Sequence, residues 1–156
     1  MLGPPMRLLE TRVPPPLVML LCGLLGLVIG RCLPAAELPM PLGVAVMVVA
    51  AGLVMNLLPK CSFRRAGTTV NPMRPAGSTT LITHGIYRYT RNPMYLGQAV
   101  FLCGGMLCLQ NLPALAVVPL FVLYITRFQI QPEERVLAER FGIRYAEFCN
   151  QVRRWL

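Results

Sequence analysis

Apolar residues in this chain come in long blocks, not in the alternation of a half-buried strand. "PLVMLLCGLLGLVIGRCL" (16–33) and "PLGVAVMVVAAGLVMNLL" (41–58) each approach the roughly 20 residues that a helix needs to cross a bilayer core. A third apolar run extends from Met94 to Ile125, which is too long for one crossing. Its polar break, "QNLP" at 110–113, ends in a proline, which cannot continue the hydrogen-bond ladder of the preceding helix. The pattern therefore predicts a helical hairpin over 94–109 and 112–127. Beyond Arg127 the pattern changes. In "EERVLAERFGIRYAEFCNQVRRWL", Leu137, Phe141, Tyr145, Phe148, Val152 and Trp155 recur three or four residues apart, which makes one apolar helix face with Arg and Glu on the other. A basic amphipathic helix that ends in tryptophan favours a membrane interface. The expected fold is an all-α integral membrane protein, one domain over 1–156. It has about four transmembrane helices, the third and fourth a hairpin, plus a C-terminal amphipathic interfacial helix.

Composition supports the membrane reading. The chain is 55% hydrophobic and 13% charged, with a mean hydropathy of +0.57, whereas soluble domains are about a quarter charged. Fifteen Lys and Arg stand against six acidic residues, none of them Asp. A pI near 9.9 could suit nucleic acid, but positive-inside topology and anionic headgroups account for such an excess in a chain of spans. No nucleic-acid partner is expected. The six cysteines form no CxxC pair and no zinc spacing, so no metal is expected either. Cys22, Cys32, Cys103 and Cys108 fall in or beside apolar segments, where Cys is a small hydrophobe.

Charge also sets orientation. Residues 59–93 carry Lys60, Arg64, Arg65, Arg74, Arg88 and Arg91 without an acid, while the connection at 34–40 carries only Glu37 and the turn at 110–113 carries no charge. This asymmetry puts both termini and the long loop on the cytoplasmic side, with Arg31 snorkelling at the outer end of the first span. The expected setting is a bacterial inner membrane. Arg7 and Arg12 before an apolar core imitate a signal peptide. That core is long, proline-rich at its start and followed by three more spans, which argues against cleavage.

The long loop and the tail thus share one side of the membrane, and both are chemically equipped. "HGIYRYTRNPMYLG" (84–97) holds three of the five tyrosines, and the "AGSTTLITHG" before it is rich in hydroxyls and small residues. Tyr87, Tyr89 and Tyr95 offer faces for a ring or a cation. Asn92 can pair with an amide or a purine edge, and Pro93 presets the start of a helix. Glu133 and Glu134 follow the fourth span, either to bind a ligand or to pair with Arg88 or Arg91.

The order "T-x-G-x-Y-R-x-x-R-N-P-M-Y-x-G", an apolar hairpin, then "P-E-E-R-x-L-x-x-x-F-G-x-x-Y-x-x-F-x-x-x-V-R-R-W" resembles the isoprenylcysteine carboxyl methyltransferase family, which groups with membrane phospholipid methyltransferases. The resemblance covers roughly residues 64–156. It implies methyl transfer from S-adenosylmethionine to a lipophilic acceptor, the cofactor being enclosed by loop 64–93, the hairpin and the tail 128–156. On this basis Thr79, Thr80, Leu81 and Ile82 line the cofactor site and Tyr87 packs beside the cofactor. Asn92, Pro93, Met94 and Tyr95 form its wall, Gly85 and Gly97 allow close backbone approach, and Glu133 accepts hydrogen bonds from ribose hydroxyls.

The sequence departs from the prenylcysteine enzymes at two positions. Asn92 stands where they have His, and Gln129 stands where they place an Arg linked to the substrate carboxylate. A neutral amide at Gln129 cannot supply that charge-assisted bond, so the resemblance leaves the acceptor open: a prenylated cysteine, a phospholipid amine, or a small lipophilic thiol or acid, entering from the bilayer. An amine or hydroxyl acceptor would need a general base, for which His84, Glu134 or a tyrosine is available. The partners expected are membrane lipids and a lipophilic or lipidated acceptor. Two other classes fit the size: a small four-span transporter and an inactive scaffold. A transporter places an ionisable residue within a span, and none of these spans holds a central carboxylate. The scaffold differs from the enzyme only in cofactor binding.

Overall fold

A computed structural model describes residues 10–33, 38–65, 81 and 83–156, with the side chains of 60–65 outside that description. Among the described residues six α-helices follow one another: α1 Pro15–Cys32, α2 Leu42–Arg65, α3 Pro93–Leu107, α4 Val117–Ile125, α5 Gln131–Phe141 and α6 Ile143–Gln151. Among the described residues there is no strand. Prolines open α1 and α3, where the missing N–H is one that a first helical turn leaves unpaired anyway.

The polar break at 110–113 turns the chain as its sequence predicts. Gln110 has φ +50°, Asn111 Oδ1 accepts the Ala114 N–H, and Asn111 Nδ2 donates to the Gly30 carbonyl at 3.3 Å. The turn is thereby fastened to the C-terminal end of α1. The arms of the hairpin are unequal, however. The first, α3, is apolar but only 15 residues long. The second does not end near 127: a 3-10 turn (Leu112–Ala116), α4, a π-turn (Thr126–Ile130) and α5 join into one helix of 30 residues, Leu112–Phe141. The π-turn absorbs the change from apolar to polar sequence without breaking the helix. Among the described residues, three helices are long and apolar enough to cross a membrane: Pro15–Cys32, Leu42–Pro59 and Leu112–Phe141.

The tail is also two helices where the apolar spacing predicts one continuous face. The break is Gly142, at φ +52°, in a backbone region that glycine enters at least cost.

Packing differs between the two sides of α3. Toward α2 the backbones nearly touch. A Cβ on Gly52 would lie 2.3 Å from the Phe101 nitrogen, one on Gly97 2.6 Å from the Asn56 nitrogen, and one on Gly104 2.6 Å from the Val49 nitrogen. Such close approach suits lipid, where helices associate by van der Waals contact because the tails are as apolar as leucine. The opposite side of α3 supplies Tyr95, Ala99, Leu102 and Met106 to a core with Val18 and Cys22 of α1 and Val117, Phe121, Ile125 and Ile130 of the long helix. Leucines and valines on the outer faces of α1 and α2, such as Leu20, Val28, Val46 and Val54, are exposed, as a lipid-facing surface requires.

The π-turn is also where the N-terminal strap (10–14) attaches. Thr11 N–H donates to the Phe128 carbonyl at 3.0 Å, and Gln129 Nε2 donates to the Val13 carbonyl at 2.6 Å. Glu10 pairs with Arg127 at 3.0 Å and with Arg135.

Candidate functional site

The loop, α3, the long helix and the tail converge at one end of the bundle. Thr79, Thr80 and Ile82 lie outside the described residues. Leu81 and Tyr87 pack against the apolar face of the tail, formed by Leu137, Phe141, Tyr145, Phe148 and Val152. The tail face that the sequence assigns to a membrane interface is therefore spent largely on the loop. Gly85, at φ +66°, turns the chain into the short 3-10 helix Gly85–Arg88 that carries Tyr87.

Glu133 sits at the centre of this junction. Its Oε1 accepts a hydrogen bond from the Tyr95 hydroxyl at 2.5 Å, and Tyr95 is buried in the first turn of α3. The Tyr87 hydroxyl is pushed above its ordinary range, by burial first and by the Glu133 carboxylate second, which places Tyr87 within electrostatic reach of Glu133. Leu81, Tyr87, Tyr95 and Glu133 are thus brought together from three separate segments. Pro93 is buried at the start of α3, and the Met94 carbonyl accepts from Asn56 Nδ2 at 3.2 Å, so this wall is held by α2.

The adjacent carboxylate has a different environment. Glu134 takes a bidentate pair from Arg154, with Nε–Oε1 at 3.0 Å and Nη2–Oε2 at 2.7 Å, and Arg91 Nη1 lies 3.2 Å from the same Oε1. Of the two arginines that the sequence offers as partners, Arg91 is the one used. Asn92 is committed to the same fastening: its Nδ2 donates to the Arg154 carbonyl at 3.0 Å and its N–H to Thr90 Oγ1 at 3.1 Å. His84 is exposed at the mouth of the loop. Gln129, one turn below Glu133, is fully buried, with Nε2 on the Val13 carbonyl and, among the described residues, no donor to its Oε1.

Several residues here carry no obvious signal in the sequence. Thr90 Oγ1 donates to the Arg154 carbonyl at 3.3 Å, and the Arg91 N–H donates to the Arg153 carbonyl at 3.0 Å. Arg91 Nη1 also reaches Cys149 Sγ at 2.6 Å, and Trp155 Nε1 donates to Thr126 Oγ1 at 3.1 Å. The polar triplet "TRN" ahead of a helix-opening proline and the terminal "RRW" are the only hints, and neither names the other as partner.

The side chains present suit a ligand with a diol and a positive centre. A carboxylate partly withdrawn from water accepts strongly from hydroxyls, and tyrosine faces attract a cation. Among the described residues no group of three His, Cys, Asp or Glu could hold a metal ion.

Known proteins resemble this chain along much of its length. A family model described as phospholipid methyltransferase matches residues 40–144. A protein-S-isoprenylcysteine O-methyltransferase A of Arabidopsis thaliana is 37% identical over 75 residues, 46% of this chain and 36% of its own length. A probable protein-S-isoprenylcysteine O-methyltransferase of Oryza sativa subsp. indica is 33% identical over 112 residues, 70% of this chain and 57% of its own. An uncharacterized protein of Haemophilus influenzae is 41% identical over 63 residues, 40% of this chain and its own entire length. The chain thus spans 36% and 57% of the two named methyltransferases. No solved structure matches. The matched stretch runs from α2 through the loop, α3 and the long helix with Glu133, and it covers well over half the sequence: the chain belongs to the phospholipid methyltransferase family.

Proposed function

We propose that this protein is a membrane methyltransferase that uses S-adenosylmethionine and methylates a lipophilic acceptor at the cytoplasmic face. The observation that carries this reading is the junction of Glu133, Tyr95 and Tyr87, a withdrawn carboxylate among tyrosines where the apolar helices end. In this reading Glu133 accepts the ribose hydroxyls. Leu81 and Tyr87 pack beside the cofactor, with Gly85, Asn92, Pro93, Met94 and Tyr95 as the surrounding wall and Thr79, Thr80 and Ile82 continuing it along the loop. The sulfonium donor supplies an activated methyl group. The chain's own task is to hold and align the reactants, which is worth about 7–11 kcal/mol at best in well-oriented systems. The apolar tail face over the loop keeps water from the site, which disfavours a charged ground state relative to a charge-dispersed transition state.

The acceptor enters laterally from the bilayer, with Gln129 on its side of the site. The two named relatives are isoprenylcysteine O-methyltransferases, which supports a lipophilic acceptor. The charge asymmetry of the loops supports a cytoplasmic site in a bacterial inner membrane.

Calorimetric titration of S-adenosylmethionine into the purified protein tests the reading, with Glu133→Ala and Tyr87→Ala alongside. Saturable binding that each substitution weakens at least tenfold is the expected result. Folded wild-type protein that binds none, in lipid as well as in detergent, overturns it.

A further inference from the structure

The two carboxylates that pair with arginines are held in different ways. Glu134 receives both bonds of a fork from Arg154, with Arg91 alongside. Glu10 instead bridges two guanidiniums of the long helix, giving Oε1 to Arg127 Nη1 at 3.0 Å and Oε2 to Arg135 Nη2. Neither of those arginines receives from it the two parallel bonds that a planar guanidinium is shaped to make. Arg127 Nη2 stays buried without an acceptor among the described residues. One negative charge thus faces two positive ones, and Arg12, exposed on the same strap, adds a third nearby.

The depth of this cluster identifies the anion that competes with Glu10. The Thr11 N–H on the Phe128 carbonyl and Gln129 Nε2 on the Val13 carbonyl set the strap level with residues 128 and 129. Pro15 opens α1, a helix long and apolar enough to span, directly after the strap. The cluster therefore lies where α1 meets the headgroups. Aromatic side chains gather around it. The Arg127 guanidinium stands 5.3 Å from the centroid of the Phe128 ring, the Tyr124 and Phe128 rings are 4.8 Å apart, and Trp155 donates to Thr126 Oγ1. Tryptophan and tyrosine concentrate at membrane–water boundaries, and there the abundant anions are lipid phosphates.

We propose that Arg127 and Arg135 form a binding site for the phosphate of an anionic phospholipid, and that Glu10 of the strap fills this site when no such lipid occupies it. Carboxylate and phosphodiester each carry one negative charge on two oxygens, so the exchange leaves the charge at the arginines unchanged. The phosphate also brings an acceptor to Arg127 Nη2, which the Glu10 carboxylate does not. Glu10 competes through its tether, at an effective concentration on the millimolar scale. Lipid in the adjoining leaflet competes at a comparable or higher one. Lipid binding lifts Glu10 and loosens the strap, which is then held by the bonds of Thr11 and Val13 alone. Neither arginine belongs to the Glu133–Tyr95 junction, so this site is separate from methyl transfer.

Trp155 is the chain's single tryptophan, and its bond to Thr126 puts it beside Arg127, where it reports on bound lipid. The whole protein is placed in phosphatidylcholine nanodiscs that contain a minor fraction of brominated lipid, either phosphatidylglycerol or phosphatidylcholine, and the quenching of Trp155 is compared. Brominated phosphatidylglycerol is expected to quench as though enriched about tenfold at the site. Arg135→Gln changes a side chain that is 54% exposed and is expected to abolish the preference. Arg88→Gln, at an exposed arginine of the loop, is expected to leave it intact. Glu10→Gln removes the competitor and is expected to strengthen it. In the wild type, phosphatidylglycerol is expected to lower protection of the Thr11 amide against hydrogen exchange about fivefold, the scale of a partly exposed ion pair. Millimolar inorganic phosphate in discs of phosphatidylcholine alone is expected to leave that protection unchanged.

Equal quenching by the two lipids in the wild type overturns the site, and so does a preference that survives Arg135→Gln. An equal loss in Arg88→Gln overturns it too, because the attraction would then be the diffuse field of the basic face. A preference that Glu10→Gln does not strengthen removes Glu10 as the competitor. Loosening of the strap by inorganic phosphate to the same extent would assign the arginines to a free anion and overturn the lipid.

Discussion

The two regions that hold α3 do so by opposite means. Along its body, α3 lies against α2 through Gly52, Gly97 and Gly104, and the side-chain hydrogen bond between them runs from Asn56 to the Met94 carbonyl. At its N-terminal start, Thr90, Arg91 and Asn92 are fastened to Arg153 and Arg154 through both backbone and side chains, with Glu134 between two guanidiniums. The surroundings account for the difference. In lipid nothing drives apolar side chains together, so contact area has to come from backbones that approach closely. At the water boundary, irregular backbone must find partners for its polar groups, and the tail supplies them through Arg153 and Arg154. The packed region has no room for an added atom. The fastened region has room, but depends on every partner being present.

The largest effect should come from adding atoms to the packed region. Gly52→Ala sets a Cβ against the backbone of Phe101 at 2.3 Å, and backbone in a helix cannot step aside as a side chain can. A loss of about 3 kcal/mol is expected, at the upper end for overpacking, measured by unfolding in detergent. Gly26→Ala meets chiefly the Met106 sulfur, which can swing away, so its cost should be smaller. Gly105→Ala meets nothing within 4 Å and should gain up to about 1 kcal/mol from helix propensity. Equal costs at all three positions would show that close backbone contact does not hold α2 to α3.

The fastened region should respond to lost partners instead. Glu134→Ala leaves Arg91 and Arg154 without their carboxylate. Their side chains are 14% and 37% exposed, so the cost should fall between that of buried and surface pairs, about 2 kcal/mol. The tail should loosen while the α2–α3 contact persists. C-terminal residues should then become susceptible to carboxypeptidase, and S-adenosylmethionine affinity should drop although Glu133 is intact. Asn92→Ala removes one bond to the Arg154 carbonyl and should cost about 1 kcal/mol, with a smaller change of the same kind. If Glu134→Ala lowered stability without touching cofactor affinity, the fastening would be unrelated to the site.

The same contrast explains what the sequence reveals and what it conceals. The apolar blocks and the "QNLP" break are local signals, and the helices they predict are present with the turn at Gln110 and Asn111. The π-turn is not local in this sense. Thr126–Ile130 reads as the end of an apolar run, and the contacts it makes come from residues far along the chain, Glu10, Thr11, Val13 and Trp155. The tail conceals its break for a related cause: apolar spacing of three and four continues across Gly142, and periodicity does not register a single residue at positive φ. At the site, the pair Glu133–Glu134 is legible as chemistry, but which carboxylate faces Tyr95 and which faces arginine depends on one step of helix rotation. Gln98 passes as an incidental polar residue in an apolar run, because nothing in the sequence says that it is buried with an oxygen that meets no donor among the described residues.

The N-terminal strap gives the smallest and most conditional effect, because it combines both means of attachment. Two backbone-directed bonds, Thr11 to Phe128 and Gln129 to Val13, hold it to the π-turn, and Glu10 adds ion pairs to Arg127 and Arg135. Burial raises the Glu10 pKa, but Arg127 and Arg135 outweigh it and hold the carboxyl below its usual range. A carboxyl whose folded pKa is depressed stabilises the folded state at pH above its unfolded value, about 4.3. That contribution is lost as pH falls through the lower folded value. Protection of the Thr11 amide against hydrogen exchange, corrected for intrinsic rate, should therefore be flat from about pH 8 to about pH 5 and decline below about pH 4. Glu10→Gln should abolish the decline and lower the plateau slightly. A wild-type profile with no decline would mean that the backbone bonds alone hold the strap, which would move it from the fastened class into the packed one.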